Sequence, residues 1–203
     1  MMNQIPPVVK NLLIINALIY FATIQLGGDL SITRNPKNHI LYEYLSLWNI
    51  NQGFSPYQII TYMFMHGDFS HLLFNMLPLF IFGKTLENVW GSKRFLTFYI
   101  LTGVGAGITQ LIVGDFTLTV GASGAIFGIL IGFATLFPNA QLLLLIPPMP
   151  IKAKYFVGIY ILVELFAGIY TVGSGIAHFA HLGGALSGWL ALKYWKIDKN
   201  QLY

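Results

Sequence analysis

No cysteine occurs among the 203 residues, which excludes a disulfide framework and a thiolate metal site and leaves the redox compartment open. Charge is almost as scarce: Asp, Glu, Lys and Arg make up 9% of the chain, against about 25% in soluble domains. The eleven basic and seven acidic residues give a formal +4, yet the basic residues are scattered among apolar segments, and scattered charge excludes a nucleic-acid partner of the usual kind. No small-residue cleavage site follows the first apolar stretch, so Met1-Met2-Asn3-Gln4-Ile5-Pro6-Pro7 is read as leading into a retained helix rather than a signal peptide. What fills the chain is apolar: 56% hydrophobic residues and a mean hydropathy of +0.67. The expected class is an all-α, polytopic membrane protein with the lipid bilayer as its solvent, and the expected organisation is one bundle over residues 1–203 without an added soluble domain.

Six spans are expected, at residues 11–26, 58–83, 95–114, 120–137, 155–171 and 175–194. Of the basic residues between them, Lys10, Lys84, Lys93, Arg94, Lys152, Lys154, Lys193, Lys196 and Lys199 fall on one side and only Arg34 and Lys37 on the other. The positive-inside rule then puts both termini in the cytoplasm. The second, fourth and sixth spans run inward from the outer face. Ser123 and His181 each stand near the start of such a span, so both are expected near the outer surface at similar depth. The loop before Ser123, with Asp115 and residues 117–120, is expected to dip into the membrane, where irregular backbone is tolerable only if buried in protein or facing water.

Ser123 belongs to Gly121-Ala122-Ser123-Gly124 and His181 to Ala180-His181, a candidate nucleophile and base immersed in lipid. Gly124, Gly128 and Gly132 recur every four residues in the fourth span, as do Ala180, Gly184 and Gly188 in the sixth. Small residues at that spacing let helix backbones approach closely, and close approach would bring hydroxyl and imidazole within hydrogen-bond reach. In the second span His71 and Asn75, at i and i+4, project from one face. Serine acyl transfer needs donors aimed at a tetrahedral oxyanion, and an imidazole, a carboxamide and the Ser123 backbone N–H can all donate. Asp115 is a loop residue and Glu164 lies in the fifth span, so no carboxylate is expected to orient His181. A Ser-His dyad is therefore expected rather than a triad.

These pieces, in this order, resemble a rhomboid intramembrane serine protease: His71-Leu-Leu-Phe-Asn75, then Gly83, Glu87 and Gly91-Ser92, then Gly121-Ala-Ser123-Gly124 with Gly128, then Ala180-His181-Leu-Gly-Gly184 with Gly188. The resemblance, to the bacterial six-span form, implies Ser123 as nucleophile, His181 as general base and acid, and His71, Asn75 and the Ser123 amide as oxyanion donors. It implies a transmembrane protein as substrate, a first loop over residues 27–57 partly embedded in the outer leaflet, and a place in the bacterial cytoplasmic membrane. Two positions depart from the family pattern. Tyr57-Gln58 stands where many relatives carry Trp-Arg, and Phe127 where many carry the tyrosine that stacks on the imidazole; the ring is kept and the hydroxyl lost.

The remaining polar residues have plainer readings. His66 and His178 are expected to serve structural hydrogen bonds, and Glu87 to be a structural acid near the cytoplasmic face. Glu164 with His178 and His181 is compatible with a zinc set, but nothing like H-E-x-x-H is present, and neither metal nor cofactor is expected. An inactive relative that only binds membrane proteins would have lost Ser123 or His181. A small-molecule or ion conduit would have no use for the G-x-S-G element.

Overall fold

The computed structural model describes residues 4–27, 39–113, 118–144, 148–170 and 177–197. Asp115, Arg34, Lys37 and Lys199, on which parts of the topology reading rest, lie outside the described residues. The first helix, α1 (Pro7–Gly27), opens on proline, whose missing N–H costs nothing at a helix start. Its next two amides are capped from elsewhere: Val8 and Val9 N–H donate to the Glu87 carboxylate at 3.0 and 2.8 Å.

From His39 onward the first loop is a folded unit rather than a strap. It contains α2 (Ile40–Leu45), β1 (Leu47–Trp48), a 3₁₀ turn over Ile50–Gln52 and α3 (Gln58–Thr61). His39 joins it to α1, its Nε2 lying 2.9 Å from the Thr23 carbonyl while Nδ1 accepts from Leu41 N–H. Gln58, one of the two departures from the family pattern, is 1% exposed and pins the loop: its Oε1 accepts from Trp48 and Ser55 N–H and its Nε2 donates to the Tyr44 carbonyl. Docking here rests on a neutral carboxamide.

The second expected span differs most from its reading. Residues 58–64 form α3 and a following 3₁₀ turn, and the long helix begins only at α4 (Phe69–Pro78), where Asp68 accepts from His71 N–H at 2.8 Å and caps it. The helix continues through a π-helical turn (Leu79–Gly83) into α5 (Lys84–Trp90). Pro78 has no N–H to give its preceding turn, and such widened turns relieve the ladder at that kind of site. Gly91, at φ 77°, breaks the chain sharply before α6 (Ser92–Val113), and Ser92 Oγ donates to the same Glu87 carboxylate at 2.6 Å.

Two-residue β2 (Leu118–Thr119) pairs antiparallel with β1, Leu47 opposite Thr119 and Trp48 opposite Leu118. This ladder ties the first loop to the segment that delivers Ser123. Then follow α7 (Ser123–Leu136), a β3–β4 hairpin (Gln141–Leu143 and Pro150–Lys152), α8 (Ala153–Tyr170) and α9 (His178–Tyr194).

Among the described residues, four helices are long and apolar enough to cross a bilayer: Pro7–Gly27, Phe69–Trp90, Ser92–Val113 and Ala153–Tyr170. The chain is a polytopic helical membrane protein. The expected fourth and sixth spans are shorter than read, 14 residues in α7 and 17 in α9. Apolar side chains on the outer faces, such as Leu162, Val163 and Phe166 of α8, are exposed, as a lipid-facing surface requires.

The core is α6, α7 and α9. A Cβ on Gly184 would strike the Gly124 carbonyl, and one on Gly188 would lie 3.0 Å from the Gly128 Cα, so two levels of the small-residue stripes meet backbone to backbone. The third does not: Gly132 faces Trp90, Leu86 and Phe98. A second contact, absent from the sequence reading, joins α6 to α9, where Gly105 lies under Ser187 and Gly183 under Thr109. By contrast α8 buries only Ala153, Val157 and Glu164.

Candidate active site

The close approach of α7 and α9 sets Ser123, the first residue of its helix, against His181 in the first turn of the other. Ser123 Oγ lies 2.7 Å from His181 Nε2. Phe127, one turn on from Ser123, stacks on the imidazole with ring centroids 4.6 Å apart and planes inclined by 11°, and Tyr160 of α8 packs against the other side of Phe127 at 4.7 Å. The ring that replaces the family's tyrosine holds the imidazole flat.

The expectation that no carboxylate orients His181 does not hold. Glu164 Oε2 lies 2.8 Å from His181 Nδ1 and 2.7 Å from His178 Nδ1. A carboxylate only accepts, so this contact puts the His181 proton on Nδ1 and leaves the Nε2 lone pair for the Ser123 hydroxyl. The reason the dyad reading fails is helix phase: Glu164 is one of the few α8 side chains turned inward, and His178 and His181 share one face of α9.

The same three groups make the zinc set considered from sequence, with ligand atoms within 4.8 Å of one another. Their O–N separations of 2.7 and 2.8 Å are hydrogen-bond lengths. Ligands sharing a tetrahedral zinc at about 2.0–2.1 Å stand roughly 3.3 Å apart, so an ion would have to spread the cluster.

A cavity of about 600 Å³ opens beside Ser123 and His181. Its polar wall comes from α4, where His71 and Asn75 sit on the cavity side with Asp68 and Ser70, and its apolar wall includes Phe74, Ile126, Phe127 and Leu130. Gly67 N–H donates to His71 Nδ1 at 3.3 Å, which leaves the ring proton on Nε2. That atom lies against Gly121, beside the serine: a Cβ on Gly121 would lie 2.6 Å from His71 Nε2 and 3.8 Å from Ser123 Oγ. Gly121 also has φ 121°, so backbone strain and the imidazole both demand glycine there. Asn75 Nδ2 donates one proton to the His71 carbonyl at 2.8 Å and has a second to offer. The Ser123 N–H, in the first turn of α7, has no intrahelical acceptor, and the positive end of that helix dipole lies at the same spot.

His66 is fully buried with its ring edge-on to His71 at 5.1 Å, and its carbonyl accepts from Tyr42 OH at 3.0 Å. It backs the cavity wall instead of lining it. Sequence reasoning set Glu164, His178 and His181 together only as a possible zinc set, from the i, i+3 spacing on α9, and missed that the carboxylate hydrogen-bonds both rings and orients His181.

A polytopic helical protein with a serine and a histidine paired at a buried cavity is the class these features define. The chain belongs to the rhomboid family: the rhomboid domain model matches residues 53–195. It is 34% identical over 161 residues to Rhomboid protein 1, mitochondrial, of Saccharomyces cerevisiae, covering 71% of this chain and 43% of that protein. It is 28% identical over 201 residues to Rhomboid protease AarA of Providencia stuartii, covering 87% and 68%. To Rhomboid-like protease 3 of Toxoplasma gondii it is 29% identical over 150 residues, covering 74% and 56%. The chain thus spans less than half the length of the yeast relative.

Proposed function

We propose that this chain is an intramembrane serine endopeptidase of the bacterial six-span form, cleaving peptide bonds in or near the transmembrane segments of membrane-protein substrates. The observation that carries the reading is the 2.7 Å contact between Ser123 Oγ and His181 Nε2 at the wall of a cavity, in a bundle with four described helices long and apolar enough for a bilayer. Two of the relatives are named as proteases, which favours a cutting enzyme over an inactive binder.

Ser123 Oγ attacks the scissile carbonyl as its proton passes to His181 Nε2. His71 Nε2–H, the second Asn75 amide proton and the Ser123 N–H stabilise the oxyanion. The proton on Nε2 then goes to the leaving amine, and water activated by the same imidazole hydrolyses the acyl-enzyme. The 14 residues of α7 span about 21 Å at 1.5 Å per residue, less than the roughly 30 Å apolar thickness of a bilayer. A helix that short fits a nucleophile set below the outer surface with a loop dipping in above it. The charge distribution favours the cytoplasmic membrane with both termini inside.

A fluorophosphonate probe tests this directly. It is expected to label Ser123 in detergent-solubilised protein, and Ser123→Ala and His181→Ala are each expected to abolish cleavage of a model transmembrane substrate with the fold retained, while EDTA changes nothing. Turnover by Ser123→Ala, or activity that chelation removes and metal restores, would defeat the proposal.

A further inference from the structure

Glu164 is 6% exposed, His178 8% and His181 9%. An acid so enclosed within an apolar helix is costly unless its oxygens are paired. Here a single oxygen, Oε2, meets two imidazole nitrogens, at 2.7 and 2.8 Å. Glu164 is also the only acidic residue of α8 and, with Ala153 and Val157, one of three that the helix turns inward. Nothing in helix packing calls for a carboxylate there, because an apolar side chain of the same volume would fill the space without the desolvation cost.

We propose that Glu164 and His178 form a positioning relay behind His181, so that the Ser-His pair works as a triad whose acid is itself held by a second histidine. The inference rests on the proteolytic reading for its consequence, and on geometry alone for its existence. Glu164 accepts the Nδ1–H of His181, which selects the tautomer with a free lone pair on Nε2 and offsets the positive charge that the ring acquires when it takes the Ser123 proton. That proton stays on Nε2 until it is given to the leaving amine and never reaches Glu164. His178 donates its own Nδ1–H to the same oxygen and fixes the carboxylate in the plane that His181 requires. The relay spans the α8–α9 interface and closes only when the two helices are docked.

The relay is tested first without catalysis. In Ser123→Ala protein labelled with ¹⁵N-histidine, NMR is expected to show His181 protonated at Nδ1 and bare at Nε2. Adding Glu164→Leu is expected to move the ring toward the Nε2–H tautomer. A ring protonated at Nε2 with Glu164 in place, or a tautomer indifferent to Glu164→Leu, overturns the relay.

The second arm uses enzyme with Ser123 intact. Glu164→Leu is expected to lower kcat by up to about 10⁴-fold, the loss that follows removal of a triad acid's charge, with KM nearly unchanged. Glu164→Gln keeps an acceptor oxygen but no charge and is expected to lose less. His178→Ala is expected to lose on the order of tenfold, as for one hydrogen bond to a charged group. A merely structural acid would instead reduce the folded fraction and leave kcat per folded molecule unchanged, and that result in the Gln variant also overturns the proposal. Should wild-type Ser123 fail to label with fluorophosphonate, the proteolytic reading falls while the tautomer measurement still decides the relay.

Discussion

His71 and Asn75 share a helical face but not the same freedom. His71 is held at three points: its amide by Asp68, its Nδ1 by Gly67 and its carbonyl by the Asn75 side chain. Its Nε2–H is thereby aimed, and an aimed donor needs no reorganisation when charge develops. Asn75 has one amide proton committed to its own helix. Loss of one oxyanion donor typically lowers kcat by about 10²–10³-fold, so His71→Ala is expected to fall in that range and Asn75→Ala at or below its lower end, each with the thermal midpoint nearly unmoved. Steady-state kinetics alongside thermal unfolding checks this; activity lost only in proportion to folded protein would make both residues structural. The i, i+4 face that His71 and Asn75 share was legible from spacing alone, because helical periodicity is local. That Glu164, grouped with the two histidines only as a possible zinc set, hydrogen-bonds both and orients His181 was not, since the contacts join residues 14 and 17 positions apart through the relative rotation of two helices. Spacing within one helix carries no information about that rotation.

At the scale of elements, the glycine stripes separate what sequence periodicity can and cannot say. Gly124 and Gly128 do face Gly184 and Gly188, but Gly132 has turned toward Trp90 because α7 and α9 cross and diverge after two turns. The stripe was legible; its length was set by the crossing. The β1–β2 ladder was invisible for a different reason, since two-residue strands are too short to show alternation. The stripes support a sharp contrast between two substitutions. Gly184→Ala puts a methyl group into the Gly124 carbonyl and must push α9 off α7, so it is expected to cost at least the roughly 1–3 kcal/mol of an overpacked core and to abolish fluorophosphonate labelling of Ser123. Gly158→Ala on α8 meets nothing within 4 Å and is expected to leave both stability and labelling unchanged. Equal behaviour of the two would mean that α7 and α9 are not held by this contact. Glu87 plays a comparable role across elements, since its carboxylate caps α1 through Val8 and Val9 and receives Ser92. Hydrogen bonds to a charged group are worth about 1.5–3 kcal/mol, so Glu87→Ala is expected to lower the thermal midpoint in detergent markedly, with kcat per folded molecule preserved.

For the whole molecule, the arrangement of charge and the arrangement of packing bear on the same question, which side of the membrane the cavity opens to. Nine of the eleven basic residues fall on one side in the six-span reading, and charge asymmetry of this kind sets orientation through the loops near the helix ends. The cavity is built at the opposite end, from the starts of α4, α7 and α9. If the basic side is cytoplasmic, the cavity opens toward the outer face, and both termini are inside only when the number of crossings is even. The absence of native cysteine lets this be read one site at a time. Gln52→Cys, in the exposed part of the first loop, is expected to react with an impermeant maleimide in intact cells. Lys93→Cys between α5 and α6, and Asn139→Cys before the β3–β4 hairpin, are expected to react only after the membrane is opened. Lys10→Cys at the start of α1 and Lys193→Cys at the end of α9, both on the basic side, should be protected together. Protection of one and labelling of the other would require an odd number of crossings, and with it a different membrane path for the short α7 or α9. Labelling of Lys93→Cys with protection of Gln52→Cys would invert the molecule and place Ser123 near the cytoplasmic face.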